Sequence, residues 1–487
     1  MSSRSIIILL LLLPIVGASI YSVKFMQFKK IERNLTIAIS GALPNEELSP
    51  ENISTIPLFH LHYNLWDTLV ASDNSAAIAK SFNISQDNLT YTFQIDPDAN
   101  FSNGRAILAS DVKASIDRLT KREENGHINA RTTIRKIETP SQHSLVIHLL
   151  KPTPAFLFLL SSPEFGVVPS EALDSNGTVV SLKITSGAYT LENLNHDSQT
   201  AILKRNLNFR RAEALAPEKV TLRFNKKIDE GTFKSLLADD QIDFIELINP
   251  DAPQFINLAE KSGYSYKATL PSVSIFLVAN HKLVDEKTAK FFSAGFQKYF
   301  RFDAPLGLER TSNQFFPPKT FGSLSEEEIP AVESKEKMSP LKEVLIRTNR
   351  KDGALVEAIA RTFARLGVSA RFVDWDSEEP YHYWFRGQGM NTEYPEIELH
   401  LDILSPYQIL DADEATKRML TEATHEPDSS KRSALIKEIG KRLLSSGKVI
   451  PLTTRAYVHL YKTESTDLNG ITNYDGDIPI YKMRALR

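Results

Sequence analysis

At 487 residues, with 42% hydrophobic and 24% charged side chains, the chain is too long for one ordinary compact core and too apolar for wholesale disorder, so a folded body of two or three lobes is expected. A formal net charge of −3, with no long Lys/Arg block interleaved with aromatics, speaks against nucleic acid as a partner. The absence of cysteine excludes disulfides, thiol catalysis, thiolate metal sites and a lipid carried on an N-terminal cysteine.

In chain order, Arg4 precedes the unbroken apolar run Ile6 to Leu13, and Pro14 and Val16-Gly17-Ala18 follow, which is the layout of an export signal. Cleavage after Ala18 is one reading. Apolar character continues through Ile20, Tyr21 and Val23 before Lys24, so an uncleaved N-terminal anchor in the cytoplasmic membrane is the other. Leu35 to Ile39 reads as a strand and Pro44 to Ser54 as a loop. Leu89, Tyr91, Phe93 and Ile95 alternate as in a strand, Asn103-Gly104 supplies a turn, and Ser110 is placed to cap a helix carrying Val112, Ile116 and Leu119 on one face.

Further strands are expected at Leu145 to Leu149, Ala201 to Lys204, Val220 to Phe224 and Ser274 to Val278, with a short helix at Thr232 to Leu237 leading into Asp243 to Leu247. Pro317 to Pro340, rich in Ser, Glu, Lys and Pro, reads as a solvated connection. Beyond it, Val344 to Arg347, a helix with Leu355, Ile359, Phe363 and Leu366 stopped at Gly367, and Val368 to Val373 form a strand-helix-strand unit of the kind that pairs in parallel. Helices at Asp413 to Thr424 and Ser430 to Leu444 complete an α/β pattern without internal repeats.

The order of several motifs resembles the family-five extracellular solute-binding proteins, the peptide-binding and nickel-binding components of ABC importers. The most specific stretch is Leu89-Thr90-Tyr91-Thr92-Phe93, then Phe101-Ser102-Asn103-Gly104, then Leu108-Ala109-Ser110-Asp111-Val112. Trp66-Asp67 with Leu69, the run Val167 to Leu173, Ser186-Gly187-Ala188-Tyr189 with Arg205-Asn206, and Pro451-Leu452 fall in the family's order around it. Taken singly, Tyr91, Phe93 and Phe101 read as core aromatics and Gly104 as a turn glycine, so these motifs speak for the fold more than for a ligand.

The resemblance implies an α/β, two-lobed periplasmic-binding-protein-like fold with an inserted extra subdomain in the first lobe. On this chain residues 1–30 would be a signal peptide or anchor, 31–270 with 452–487 lobe one, and 271–451 lobe two, with crossings near Pro271 to Asn280 and Val449 to Thr453. It implies non-catalytic capture of a peptide or peptide-like ligand between the lobes, outside the cytoplasmic membrane, with ABC permease subunits as partners, no cofactor, and a monomeric protein. The alternatives are a binding protein retired from transport and used as a sensor or scaffold, and an exported hydrolase.

Peptide-binding relatives carry an aspartate-rich segment with Asp-Pro after a strand, and it supplies the carboxylate for the peptide's amino terminus. With that strand placed near Ile397 to Leu401, this chain instead reads Leu401 to Asp411 without the motif, so a buried ammonium would lack its usual counter-charge. The expected ligand contacts are Trp384, Asp402, Ser405 and Tyr407 on lobe two, with Trp66 and the loop around Ser49 on lobe one. The aromatic cluster Trp375, Tyr381, Tyr383, Trp384 and Phe385 is read either as cleft wall or as packing of lobe two.

No Gly-x-Ser-x-Gly elbow, Walker loop or His-Glu-x-x-His is present, and Gly387-Gln388-Gly389 lacks the third glycine of a dinucleotide fingerprint. His60-Leu61-His62 offers two imidazoles, but on a strand one would face away, and no third ligand is identifiable. An enzyme is therefore not expected. Carboxylate pairs leave no local signature, which keeps the hydrolase among the alternatives.

Overall fold

The computed structural model describes residues 33–44, 49–53, 55–120, 133–247, 253–334, 341–349, 353–404, 409–468 and 478–486. The export segment therefore lies outside the described residues, as do Ser405 and Tyr407. The first strands are β1 (Asn34–Ser40), β2 (Ala79–Ile84), β3 (Thr90–Ile95), β4 (Ile134–Ser141), β5 (Ser144–Leu149), β6 (Tyr189–Asn195), β7 (Thr200–Arg205) and β8 (Lys219–Asn225). Then come β9 (Phe244–Leu247), β10 (Tyr264–Ala268), β11 (Val273–Ala279), β12 (Glu309–Thr311), β13 (Glu343–Thr348), β14 (Ser369–Asp374), β15 (Tyr383–Gly389), β16 (Val449–Arg455) and β17 (Val458–Lys462).

These strands form two large mixed sheets and one smaller sheet. The first has the order β10-β17-β9-β1-β8-β7-β6, with β1 parallel to both of its neighbours. The second has the order β12-β16-β11-β15-β13-β14, with β13 parallel to β14 and β15 and with β11 antiparallel to β15 and β16. The four-stranded antiparallel sheet β2-β3-β5-β4, backed by the helix Ala109–Thr120, is the extra subdomain inserted after β1.

All seven residues of β11 are buried, which a central strand with helices on both faces requires. Its side chains alternate between two cores. Ile275 and Leu277 join Phe292, Phe296 and Phe363 on one side, while Phe276 and Val278 join Phe315, Ile436 and Leu443 on the other.

The chain passes between the large sheets twice, and the two passages lie side by side. β10 ends at Ala268 opposite Val458, and β11 begins at Val273 opposite Arg455, so residues 269–272 run beside 456–457. Thr269 N donates to the Tyr457 carbonyl at 3.0 Å, Tyr457 N donates to Thr269 Oγ1 at 3.0 Å, and Ser272 N donates to the Arg455 carbonyl at 3.1 Å. This short ribbon joins the edge of one sheet to the middle of the other, and it has the geometry of a hinge.

Three local expectations are corrected. Ser110 does not cap its helix: the helix begins at Ala109, and the Asp111 carboxylate reaches back to accept from Leu108 N at 2.8 Å. The segment expected as a strand near Ile397 to Leu401 is a helix, Glu396–Ile403. Its alternating Ile397, Leu399, Leu401 and Ile403 mimic a strand, but the buried set is Glu396, Ile397, Leu399, Asp402 and Ile403, which follows a helical face. His60-Leu61-His62 also lies on a helix, Ile56–Leu65, and both imidazoles are buried.

Candidate ligand-binding cleft

A cavity of about 210 Å³ opens where the two large sheets meet the ribbon. Its walls come from three directions. The helix Ile56–Leu65 presents Phe59 and Tyr63, four residues apart on one face, with ring centroids 6.1 Å apart and planes nearly parallel. Residues Phe158 to Phe165, in a short helix and a single 3-10 turn, form a second wall that includes Glu164. Opposite stand Gly389, Met390 and Asn391 at the end of β15, with Ile397 and Glu398 from the helix that follows. Ser272 and Tyr457, one from each passage of the ribbon, make the floor.

The two halves touch across this cavity. Ile397 is 2% exposed and packs in one cluster with Tyr91, Phe156 and Leu159 of the first half. Phe158 and Tyr394 stand with ring centroids 5.8 Å apart. His425 Nδ1 donates to the Pro152 carbonyl at 3.0 Å, and burial lowers the pKa of that imidazole. The cleft is therefore closed in this structure.

Two polar groups of the cavity stand without a hydrogen bond or ion pair among the described residues. The Glu164 carboxyl, in the turn Pro163–Phe165, has no hydrogen bond or ion pair among the described residues, and burial pushes its pKa up to about 7. Ser272 Oγ is buried, lines the floor and makes no hydrogen bond among the described residues. A smaller cavity adjoins through Tyr63, Ser72, Ser161 and Pro163; there Asp67 and Arg211 form an ion pair, and the Arg211 guanidinium lies over the rings of Phe209 and Tyr481.

The residues expected at the site are dispersed. Trp66 lines the smaller cavity, is 2% exposed, and donates from Nε1 to His62 Nδ1 at 2.9 Å. Ser49 is buried in the first half and lines neither cavity; its hydroxyl has no hydrogen bond among the described residues. Trp384 lies half-buried on β15 beside Trp375, with the Arg386 guanidinium over its ring, away from the residues that line the cavity. Asp402 is fully buried 3.2 Å from Arg386, and burial lifts its pKa to about 6 against the opposing pull of that guanidinium.

Sequence reasoning missed Phe59, Tyr63, Glu164, Ser272, Glu398 and Tyr457. Only the i, i+4 spacing of Phe59 and Tyr63 carried a local signal, and it was hidden because apolar residues fall all around that helix. β15 ends at the cavity, and the segment that follows it, Met390 to Pro395, holds Asn391 and Glu393 but no aspartate. Asn391 Oδ1 is occupied by the amides of Glu393 and Tyr394. Among the described residues no group of three or more His, Asp or Glu side chains is placed to hold a metal ion, and no helix is long and apolar enough to cross a membrane.

Two sheet-based halves, a double crossing and a closed cavity between them define a two-lobed solute-binding protein fold. Residues 75–299, a little under half of the chain, match the model described as "Bacterial extracellular solute-binding proteins, family 5 Middle", in line with the resemblance read from the sequence. A Brucella ovis protein whose name is that of an ABC transporter peptide-binding protein is 33% identical over 120 residues, 23% of this chain and 22% of that protein, so the matched stretch spans about a fifth of the curated relative. The dipeptide-binding protein of Pseudoalteromonas sp. SM9913, solved with Met-Leu, superposes with a TM-score of 0.77 at 13% identity, covering 92% of this chain and 100% of that one. NikA of Brucella suis, solved with Fe(III)-EDTA, superposes with a TM-score of 0.75 at 19% identity, covering 92% and 99%. At such identities these are likenesses of fold.

Proposed function

We propose that the protein is a non-catalytic, extracytoplasmic solute-binding protein that captures a peptide or peptide-like ligand between two lobes and delivers it to the permease subunits of an ABC importer. The observation that carries this reading is the cavity itself, walled by both halves of the molecule and floored by the ribbon that joins them. A ligand there touches both lobes at once, so its binding energy acts directly on their closure. Peptide-like chemistry is favoured by an apolar, aromatic lining with a few polar groups, and by the names of the Brucella ovis and Pseudoalteromonas proteins.

The lobe limits, 31–270 with 452–487 and 271–451, belong to the same proposal and agree with sheet membership except at residues 452–455, which lie in β16 of the second sheet, so the return crossing falls at 456–457. A monomeric state and release by, or anchoring through, the N-terminal segment belong to that proposal too. A second reading, a binding protein retired to sensing or scaffolding, is favoured by the segment Leu401 to Asp411, which lacks the Asp-Pro motif of the peptide-binding relatives.

Thermal-shift screening of a dipeptide and tripeptide library against the purified protein tests the binding role, with a raised unfolding temperature expected for a subset. A flat response across the library sinks peptide capture. Uptake of a hit by cells with and without the gene then separates importer from sensor, and turnover of a labelled hit would revive the hydrolase.

A further inference from the structure

The charge of the cavity says more about its ligand than the shape does. Among the described residues that line it there is no Lys, Arg or His, whereas two carboxyl groups face it from opposite lobes: Glu164 on the first and Glu398 on the second. Arg211, in the adjoining cavity, already forms an ion pair with Asp67. A free carboxylate entering the main cavity would meet like charge and, among the described lining residues, no cation, which is unfavourable in a desolvated site.

We infer that the ligand enters as an organic cation with an apolar body: an ammonium or guanidinium held by Glu164, a hydrogen bond to Ser272 Oγ, and no carboxylate inside the cavity. This deepens the proposed binding role and rests on it for the location of the site. Among the described residues Glu164 has no counter-charge, and Ser272 Oγ, in a residue 4% exposed, has no hydrogen bond, so Glu164 is placed to take a cation and Ser272 Oγ stays unsatisfied in the closed cleft without a guest. A cationic donor completes the first, and any polar ligand atom can complete the second. Phe59, Tyr63 and Phe158 enclose the remainder and accept an apolar or aromatic side chain. The amine therefore docks on the first lobe, on the turn Pro163–Phe165, and Glu398 approaches it from the second as the cleft closes.

Calorimetry with four probes tests this: leucyl-phenylalaninamide, which is cationic; leucyl-phenylalanine, which is zwitterionic; N-acetyl-leucyl-phenylalaninamide, which is neutral; and phenethylamine, a cation that is not a peptide. The cationic amide is expected to bind about ten- to a hundredfold more tightly than either the zwitterion or the neutral peptide. Glu164→Gln should remove that preference and leave the neutral peptide unaffected, and Ser272→Ala should weaken the cationic amide by about threefold to tenfold. A zwitterion that binds as tightly as the amide, or a preference that survives Glu164→Gln, overturns the inference. Binding of phenethylamine but of no peptide keeps the cation site and sinks the peptide reading; no binding by either cation at about 10 mM overturns the cation site as well.

Discussion

Glu164 is where the chemistry of single residues is most exposed. Its folded pKa of about 7 lies above the ordinary value of 4.5, because burial favours the neutral form. Folding therefore takes up a proton in that window, and the sign follows: stability present at low pH is lost as the pH rises from about 4.5 through about 7. Glu164→Gln carries no charge to bury. The variant is expected to be more stable than the native chain by about 1–2 kcal/mol near pH 8, and no more stable near pH 4, in urea titrations at the two pH values. An equal difference at both pH values would show that the carboxylate is not held at a cost in the empty cleft.

Asp402 shows the other outcome for a buried acid. It was expected to meet ligand, but the helix Glu396–Ile403 turns it inward to Arg386, just as Glu396 turns toward Arg432, 3.8 Å away. Burial raises the Glu396 carboxyl to about 7, with Arg432 pulling the other way.

At the scale of elements, the cleft depends on how the helix Ile56–Leu65 is seated. Gly187 N donates to the Leu65 carbonyl at 2.9 Å, and a Cβ on Gly187 would stand 2.5 Å from the Leu65 carbonyl carbon and 2.7 Å from Trp66 N. Those are backbone atoms, so the helix end itself would have to shift. Gly187→Ala is expected to lose about 2–3 kcal/mol of stability in chemical denaturation and to weaken ligand binding, since Phe59 and Tyr63 ride on the displaced helix. Retention of native stability would mean that the Ser186-Gly187 turn can move away freely.

Elements with a clear period were legible in advance. The parallel pair β13 and β14 with the helix Ala354–Arg365 between them, closed by Gly367 at φ +82°, matches the strand-helix-strand unit read from Val344 to Val373. The helix Glu396–Ile403 was not legible, because its alternating apolar residues have the period of a strand while its contacts with the Arg386 and Arg432 side chains lie far along the chain.

For the whole molecule, Ile397 is the buried apolar contact by which the second half sits on the extra subdomain, packed with Phe156 and Leu159 beside the Phe158–Tyr394 and His425–Pro152 contacts. Ile397→Asp would place a charge in that seam and leave both sheets intact. In small-angle scattering the ligand-free variant is expected to show a larger radius of gyration than the native protein, with unchanged far-ultraviolet circular dichroism and weaker ligand binding. An unchanged radius would show that the seam does not hold the lobes together. The hinge ribbon leaves such opening free: only residues 269–272 and 456–457 need to change conformation, while β11 and β16 remain buried in their sheet.

The sequence by itself determined the fold class and those elements that have a clear period. Strand and helix periods, the turn at Asn103-Gly104 and the ordered motifs from Leu89 to Val112 are local, and each fixes backbone conformation within a few residues. It also determined what is missing, since the absence of cysteine can be read without coordinates. Only the tertiary structure decided the site. Phe59, Glu164, Ser272, Glu398 and Tyr457 span some four hundred residues of chain and meet solely because two crossings bring both halves around one cavity. No local pattern records such a meeting, because the energy that enforces it comes from packing distant cores and not from the residues that line the cleft.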